Sequence, residues 1–226
     1  MSGTRSSNHP ITGFVGTCGR LTVLAFTGLI AATGCGASAG SGEGRAEVVF
    51  NDNCGVCHGG AGEGKAEIEA PAIAGLPAWY VEAQLNKFRA GTRGAHADDL
   101  AGLRMRPMSR SIDEGDVPTV SAYVASLSPA APDHTITGDV EAGKTLYAGC
   151  AACHGQDGKG MEALKAPPVA QLDDWYLAEQ IHKFKAGERG ADPADVEGAM
   201  MAPMAKVLKD DAAVADVIAY INTLGG

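Results

Sequence analysis

Apolar residues recur along this chain with the spacing of helices. Val81, Leu85 and Phe88 stand at i, i+4 and i+7, and the same trio returns as Leu177, Ile181 and Phe184. Gly91 and Gly187 follow where a helix would end in a left-handed residue. Near the C-terminal end, Val214, Val217, Ile218, Ile221 and Leu224 form one stripe. Asp210 or Asp211 can cap that helix, and Gly225 lies beyond it. No stretch reads convincingly as a β-strand, so the pattern predicts an all-α protein.

The stripes come in pairs because the sequence does. Sliding the chain by 96 positions gives 25 identities over the 55 positions from residue 54 to residue 108. "APAIAGLPAWYVEAQLNKFRAGTRGA" answers "APPVAQLDDWYLAEQIHKFKAGERGA", and "GLRMRPM" answers "GAMMAPM". One residue inserted near Lys209 moves the offset to 97, so that "AYVASL" matches "AYINTL". Two tandem domains follow, at 45–128 and 139–226, with a linker at 129–138 where Pro, Ala and small polar residues replace any period. At a fixed offset the segment before Cys54 lacks a glycine to answer Gly143, which predicts a shorter or looser first helix in the first domain. Units of about 90 residues are small for a self-sufficient apolar core.

Residues 1–35 read as a signal peptide. The first 20 residues hold Arg5 and Arg20 and no acid, and the mainly apolar run "LTVLAFTGLIAAT" follows. That run is too short to span a bilayer, which takes about 20 residues, but it suits the core of a secretory signal. The expected location is the periplasm. "ATGC" ending at Cys35 approximates a bacterial lipoprotein box, which would tether the protein to a membrane through a lipidated Cys35; "ASA" at 37–39 has the form of ordinary signal cleavage. The Gly/Ser-rich residues 36–44 have the composition of a flexible tether.

The candidate chemistry lies in two C-x-x-C-H strings, Cys54-Gly-Val-Cys57-His58 and Cys150-Ala-Ala-Cys153-His154. A redox dithiol calls for a βαβ setting that neither string has. Structural zinc takes four ligands, and each string offers three. Covalent haem uses every position. Cys54, Cys57, Cys150 and Cys153 would form thioethers, while His58 and His154 would ligate iron from one face. Two covalently bound haem c groups result, and each supplies the apolar body that a small domain lacks.

Closure of the other iron face decides between carrier and catalyst. His96, His134 and His182 have no repeated counterpart, but Met105 pairs with Met201 and Met108 with Met204, while Met200 faces Arg104. A thioether is a soft, uncharged ligand that favours iron(II) and raises the reduction potential. The repeat alone leaves both methionine pairs open.

The duplicated C-x-x-C-H, the A-P-x-x-A segment after each, the W-Y-x-x-x-Q-x-x-x-F-x-x-G-x-R helix and the Met-containing loop before an A-Y helix resemble the two-haem class I cytochromes c of the cytochrome c4 type. The likeness covers about residues 45 to 225. It implies tandem class I domains, each a few helices around a haem, that transfer single electrons and transform no substrate. It implies a ligand seven positions before the apolar residues Ile112 and Leu208, which selects Met105 and Met201. It implies that the carbonyls of Pro71 and Pro167 accept the Nδ1 proton of His58 and His154, orienting each ring. Arg93 and Arg189, with Trp79, Trp175, Tyr80 and Tyr176, become candidates to face haem propionates or the contact between the domains.

Charge narrows the partners. From Gly36 onward 16 basic residues face 27 acidic ones, which argues against nucleic acid and for redox proteins with positively charged docking surfaces. The first half is less acidic and gathers Arg104, Arg106 and Arg110 around Met105, so the two haems are expected to meet different partners. Two other readings stay open: a haem-carrying subunit of a larger oxidoreductase, and a haem enzyme or sensor with one open iron.

Overall fold

The structure, a computed structural model, describes residues 41–129, 131, 132 and 134–225. The signal sequence, Cys35 and residues 36–40 of the proposed tether lie outside the described residues. Residues 41–44 are already helical, which corrects the expectation of a tether reaching to 44. They extend by one turn a helix whose Ala46 and Val49 are buried.

In the first half α1 (Ser41–Val49) runs through a π-helical turn, Phe50–Cys54, into the single turn α2 (Gly55–His58). Three helices follow: α3 (Ala78–Ala90), α4 (Leu100–Ser111) and α5 (Val117–Ser126). The second half repeats the order with α6 (Val140–His154), α7 (Asp174–Ala186), α8 (Val196–Ala205) and α9 (Asp211–Asn222). Among the described residues the only β-type pairing is two isolated bridges, Lys65 to Ala70 and Met161 to Ala166.

Local chemistry explains the helix ends. Gly91 and Gly187 take φ of 83° and 81° and return their N–H groups to the carbonyls of Lys87 and Lys183, closing α3 and α7. Asp99, Asp195 and Asp210 accept from Gly102, Gly198 and Ala213 N–H at the starts of α4, α8 and α9.

The π turn has a sequence cause that a slide by 96 hides. Phe50 stacks on Tyr123 at 5.3 Å and Tyr147 stacks on Tyr220 at 5.4 Å, so these aromatic pairs correspond at an offset of 97. The first cysteines correspond at 96, which leaves one extra residue between Phe50 and Cys54. The π turn absorbs it. The same register puts Ala46, 3% exposed, opposite Gly143. The first domain therefore does have a small residue where its first helix crosses its last, and that helix is bulged rather than shortened.

Each half closes in the same way: α5 packs on α1 and α3, and α9 packs on α6 and α7. Phe50, Leu85, Val117, Val120 and Val124 centre the first core, and Tyr147, Phe184, Val217, Ile218 and Ile221 the second. The second core also takes in Leu76 and Tyr80 from the first half, so the two halves share apolar packing. The end of the segment read as a linker is fastened down. Asp174 is fully buried and accepts from the Thr135 N–H, the Thr135 hydroxyl and the Ile136 N–H.

Candidate functional site

Each C-x-x-C-H string ends a helix, and the chain then turns back to support its histidine. Gly59 and Gly155 adopt φ of 86° and 83°, and the His58 and His154 carbonyls accept from Gly64 and Gly160 N–H at 2.7 and 2.8 Å. The bridges Lys65–Ala70 and Met161–Ala166 pinch the loops that follow. The loops thereby deliver the carbonyls of Pro71 and Pro167 to His58 and His154 Nδ1, both at 2.8 Å. With Nδ1 donating, Nε2 carries the free lone pair. Burial pushes both imidazoles below the usual histidine range, against the weaker pull of the proline carbonyls. Both rings are held neutral, the form that binds a metal.

The thiols do not behave as a redox pair. Burial pushes Cys54 up to about 11, and burial followed by the neighbouring Cys153 raises Cys150. A working dithiol needs the opposite shift. All four described cysteines are free of disulfides, and among the described residues no three His, Cys, Asp or Glu side chains gather as a metal cluster. The zinc and dithiol readings lose their support on these donor sets.

Each histidine instead opens on a large apolar cleft. The first, about 220 Å³, is walled by Cys54, Cys57, His58, Phe88, Met105 and Met108 among others. The second, about 240 Å³, is walled by Cys150, Cys153, His154, Phe184, Met201 and Met204 among others. Close-packed interiors leave no such voids unless something fills them. The methionines stand on α4 and α8, not on loops, and each helix carries a proline, Pro107 or Pro203, within it. Met105 packs against the first core and Met201 against the second, whereas Met204 and Met200 are 42% and 56% exposed.

The clefts share a wall made of Tyr80, Gln84, Leu172, Tyr176 and Gln180. Gln84 Oε1 accepts from Arg93 at 2.7 Å and from Arg189 at 3.3 Å, while Gln180 Oε1 accepts from Arg189 at 2.9 Å and from Arg93 at 3.1 Å. Each guanidinium also lies over a phenylalanine of its own half, Arg93 over Phe88 at 4.5 Å and Arg189 over Phe184 at 4.6 Å. Arg93 breaks the symmetry by donating to Tyr176 OH at 2.9 Å. Burial alone would raise the Tyr176 hydroxyl, but Arg93 and Arg189 outweigh it and hold it below the usual tyrosine range.

These residues fit haem. The arginine hydrogen bonds go to neutral acceptors, and Arg189 Nε is a buried donor with no partner in the wall of the second cleft. A propionate carboxylate is the acceptor such donors call for. Trp79 lines the second cleft and carries Lys165 over its ring at 5.4 Å. Trp175 lines neither cleft; it packs edge-on at 5.9 Å against Tyr176, a residue of the shared wall. His96 and His182 are half-exposed and stand in neither wall.

Two clasps cross between the halves. Lys87 bonds Asp195 at 2.5 Å and Glu197 at 2.6 Å, and Lys183 bonds Asp99 at 2.6 Å. Each lysine thus holds the capping aspartate of the other half's methionine helix. Sequence reasoning passed over these residues, although Gln84, Lys87 and Asp99 recur unchanged as Gln180, Lys183 and Asp195. Burial pushes Asp99 up, but Lys183 and the Gly102 N–H outweigh it and the carboxyl is depressed; burial likewise opposes Lys183, whose bond to Asp99 leaves it raised. The aspartate's contribution is full above about pH 4 and is lost as pH falls through its depressed value. The lysine's is full below about pH 10 and is lost as pH rises through its raised value. Lys183→Ala is expected to cost about 3 kcal/mol at pH 7, because it leaves a buried carboxylate unpaired. Urea melts of both proteins at pH 3 and pH 7 check this: the gap between them narrows at pH 3, and a gap unchanged between the two would refute it.

The expected cluster of Arg104, Arg106 and Arg110 is not one open patch. Arg104 pairs with Glu69 at 2.7 Å, Arg110 donates to the Arg89 carbonyl, and Arg106 Nε is buried. In the wall of the second cleft Leu164, Met200 and Met204 are exposed, against Ile68 alone among the large apolar residues of the first. The two faces do differ, but by apolar surface more than by free cations.

The profile of the cytochrome c family matches residues 44–128 and again 140–225. Cytochrome c4 of Azotobacter vinelandii is 31% identical over 218 residues, covering 90% of this chain and 96% of that one. The thiosulfate dehydrogenase electron acceptor of Stutzerimonas stutzeri is 30% identical over 75% of this chain and 79% of its own length. The solved cytochrome c4 of Acidithiobacillus ferrooxidans superposes with a TM-score of 0.63 at 26% identity, over 76% of this chain and 99% of that one. The chain belongs to the cytochrome c family as an electron-transfer protein of two tandem cytochrome c domains, each with a covalently bound haem c.

Proposed function

We propose that this protein is an exported single-electron carrier whose two irons are bound by His58 with Met105 and by His154 with Met201, in domains at 45–128 and 139–226. The observation that carries the reading is the pairing in each cleft of a neutral, carbonyl-anchored imidazole with a methionine seated against the core. Bound haem c supplies the iron(III)/iron(II) couple. The cysteines hold the porphyrin edge, the histidines are aimed by Pro71 and Pro167, and the apolar walls keep water from the metal. Arg93, Arg189, Tyr80 and Tyr176 supply donors and positive charge at the shared wall, where electrons pass between the halves. The sequence before residue 41 supports a periplasmic location, with Cys35 as the residue a lipid anchor would use. An excess of acidic over basic residues supports partners with positively charged docking surfaces.

Likeness to a thiosulfate dehydrogenase electron acceptor supports a second reading, in which the protein is the haem-carrying partner of a larger oxidoreductase. Gentle purification from the native host separates the two: a carrier elutes alone, and a subunit elutes with its enzyme. Carbon monoxide tests the ligand set. The reduced protein is expected to bind none. Uptake of one equivalent per chain would mean one iron is open and would bring forward an enzyme or sensor.

A further inference from the structure

The supports of the two histidines differ in one bond. In the first cleft the peptide group joining Pro71 to Ala72 is engaged at both ends. Its carbonyl oxygen accepts from His58 Nδ1 at 2.8 Å, and its N–H donates to Asp173 Oδ2 at 2.9 Å. Asp173 belongs to the other domain, as the residue that precedes α7. In the second cleft the matching peptide joins Pro167 to Pro168, which has no N–H to donate, and the position matching Asp173 is Pro77. Among the described residues a line of carboxylate, peptide and histidine imidazole of this kind therefore exists at His58 and not at His154, and it crosses the domain boundary.

Asp173 is also spared its ordinary local task. An aspartate at a helix N-terminus normally accepts from the N–H groups of its own first turn. Here the side chain makes no capping bond to α7 and reaches Ala72 instead.

Hydrogen bonds in series polarise one another. An anionic acceptor on a peptide N–H moves electron density towards the carbonyl oxygen, which then draws harder on the proton of His58 Nδ1. The ring gains imidazolate character, and its Nε2 becomes the more basic ligand atom. A more basic ligand favours iron(III) over iron(II). We propose that Asp173 is a positioning residue that acts through the Pro71–Ala72 peptide on His58 and lowers the reduction potential of the first haem, so that the second domain sets the potential of the first. This rests on His58 being an iron ligand.

The test is a spectroelectrochemical titration of the native holoprotein, Asp173→Ala and Ala72→Pro at pH 7, with the Nδ1–H proton resonances of His58 and His154 followed by NMR. Ala72→Pro removes the donor and keeps the carboxylate charge, and it copies the Pro168 already present at the matching position. Both variants are expected to move one of the two waves three- to tenfold towards iron(II) at fixed ambient potential, a tenfold change being ~59 mV for one electron. The other wave stays in place. The His58 resonance moves upfield as its bond to Pro71 weakens, and that of His154 does not. Native waves and a native His58 resonance in Ala72→Pro, with both waves displaced in Asp173→Ala, would show a through-space charge and overturn the proposal. Should Ala72→Pro not fold, Asp173→Asn carries the same readouts, and an unmoved His58 resonance overturns the proposal there too. Failure of the ligand reading has its own mark: the His58 resonance of the native protein would then be the same in the oxidised and reduced states.

Discussion

On the ligand set proposed above, Met201→Ala is expected to open the second iron. The reduced variant is expected to bind carbon monoxide at one equivalent per chain, with a potential well below native at that haem, because the thioether that favoured iron(II) is gone. Met204→Ala is expected to bind none and to keep both potentials. Both side chains reach the same cleft, three residues apart on α8. They differ in what lies behind them. Met201 packs against the core of the second domain, while Met204 is 42% exposed. A ligand has to be held in place against thermal motion, and a core contact does that where a surface position does not. In the first domain Met105 packs on the core, whereas Met108, half-buried in the cleft wall, has no place in that core. Carbon monoxide uptake by Met204→Ala with none by Met201→Ala would reverse the assignment in the second domain.

The largest effect on stability is expected at Gly143. A Cβ there would come 1.9 Å from the Asp216 carbonyl oxygen, 2.6 Å from its carbon and 3.0 Å from Tyr220 Cβ. Two of those atoms are backbone of the facing helix α9, so relief requires α6 and α9 to move apart. Their contact carries Tyr147 on Tyr220 and the buried Val214, Val217 and Ile218. Gly143→Val is expected to cost about 3 kcal/mol or more, the upper end for an overpacked site, and to melt the second domain well before the first. Ala46→Gly, at the matching crossing, is expected to cost about 0.5–1 kcal/mol through backbone entropy alone. Calorimetry combined with the absorption of each haem reads both. A melting point for Gly143→Val within a few degrees of native would show that the crossing is looser than its geometry implies.

The helical architecture could be read from particular residues. The trio Val81, Leu85 and Phe88 with Gly91 behind it marks α3, and Asp210 with its stripe marks α9, because periodicity and caps are local signals. The extra residue before Cys54 escaped, because a slide without gaps cannot see an insertion that the aromatic pair Phe50 and Tyr123 alone reveals. The Lys87 and Lys183 clasps escaped for a different reason. Identical residues in two repeats pair equally well within a half or across halves, and only the folded chain distinguishes these. Trp79 and Trp175 match in the repeat, yet only Trp79 lines a cleft, because the wall is only approximately twofold. Pro71 and Pro167 came to notice through family likeness; nothing in their spacing from the histidines announces a hydrogen bond.

The crossed clasps have a bearing on how such a chain could arise. Lys87 reaches Asp195 and Lys183 reaches Asp99, so residue i meets residue j and j meets i, the isologous form of a homodimer contact. Two copies of a single-haem ancestor would close that contact between identical faces. Joined in one polypeptide, the faces no longer depend on concentration to meet, and the two irons stay neighbours at any dilution. Fusion also frees each copy to diverge, and the asymmetric reach of Asp173 to Ala72 is a difference that a dimer of identical subunits could not hold.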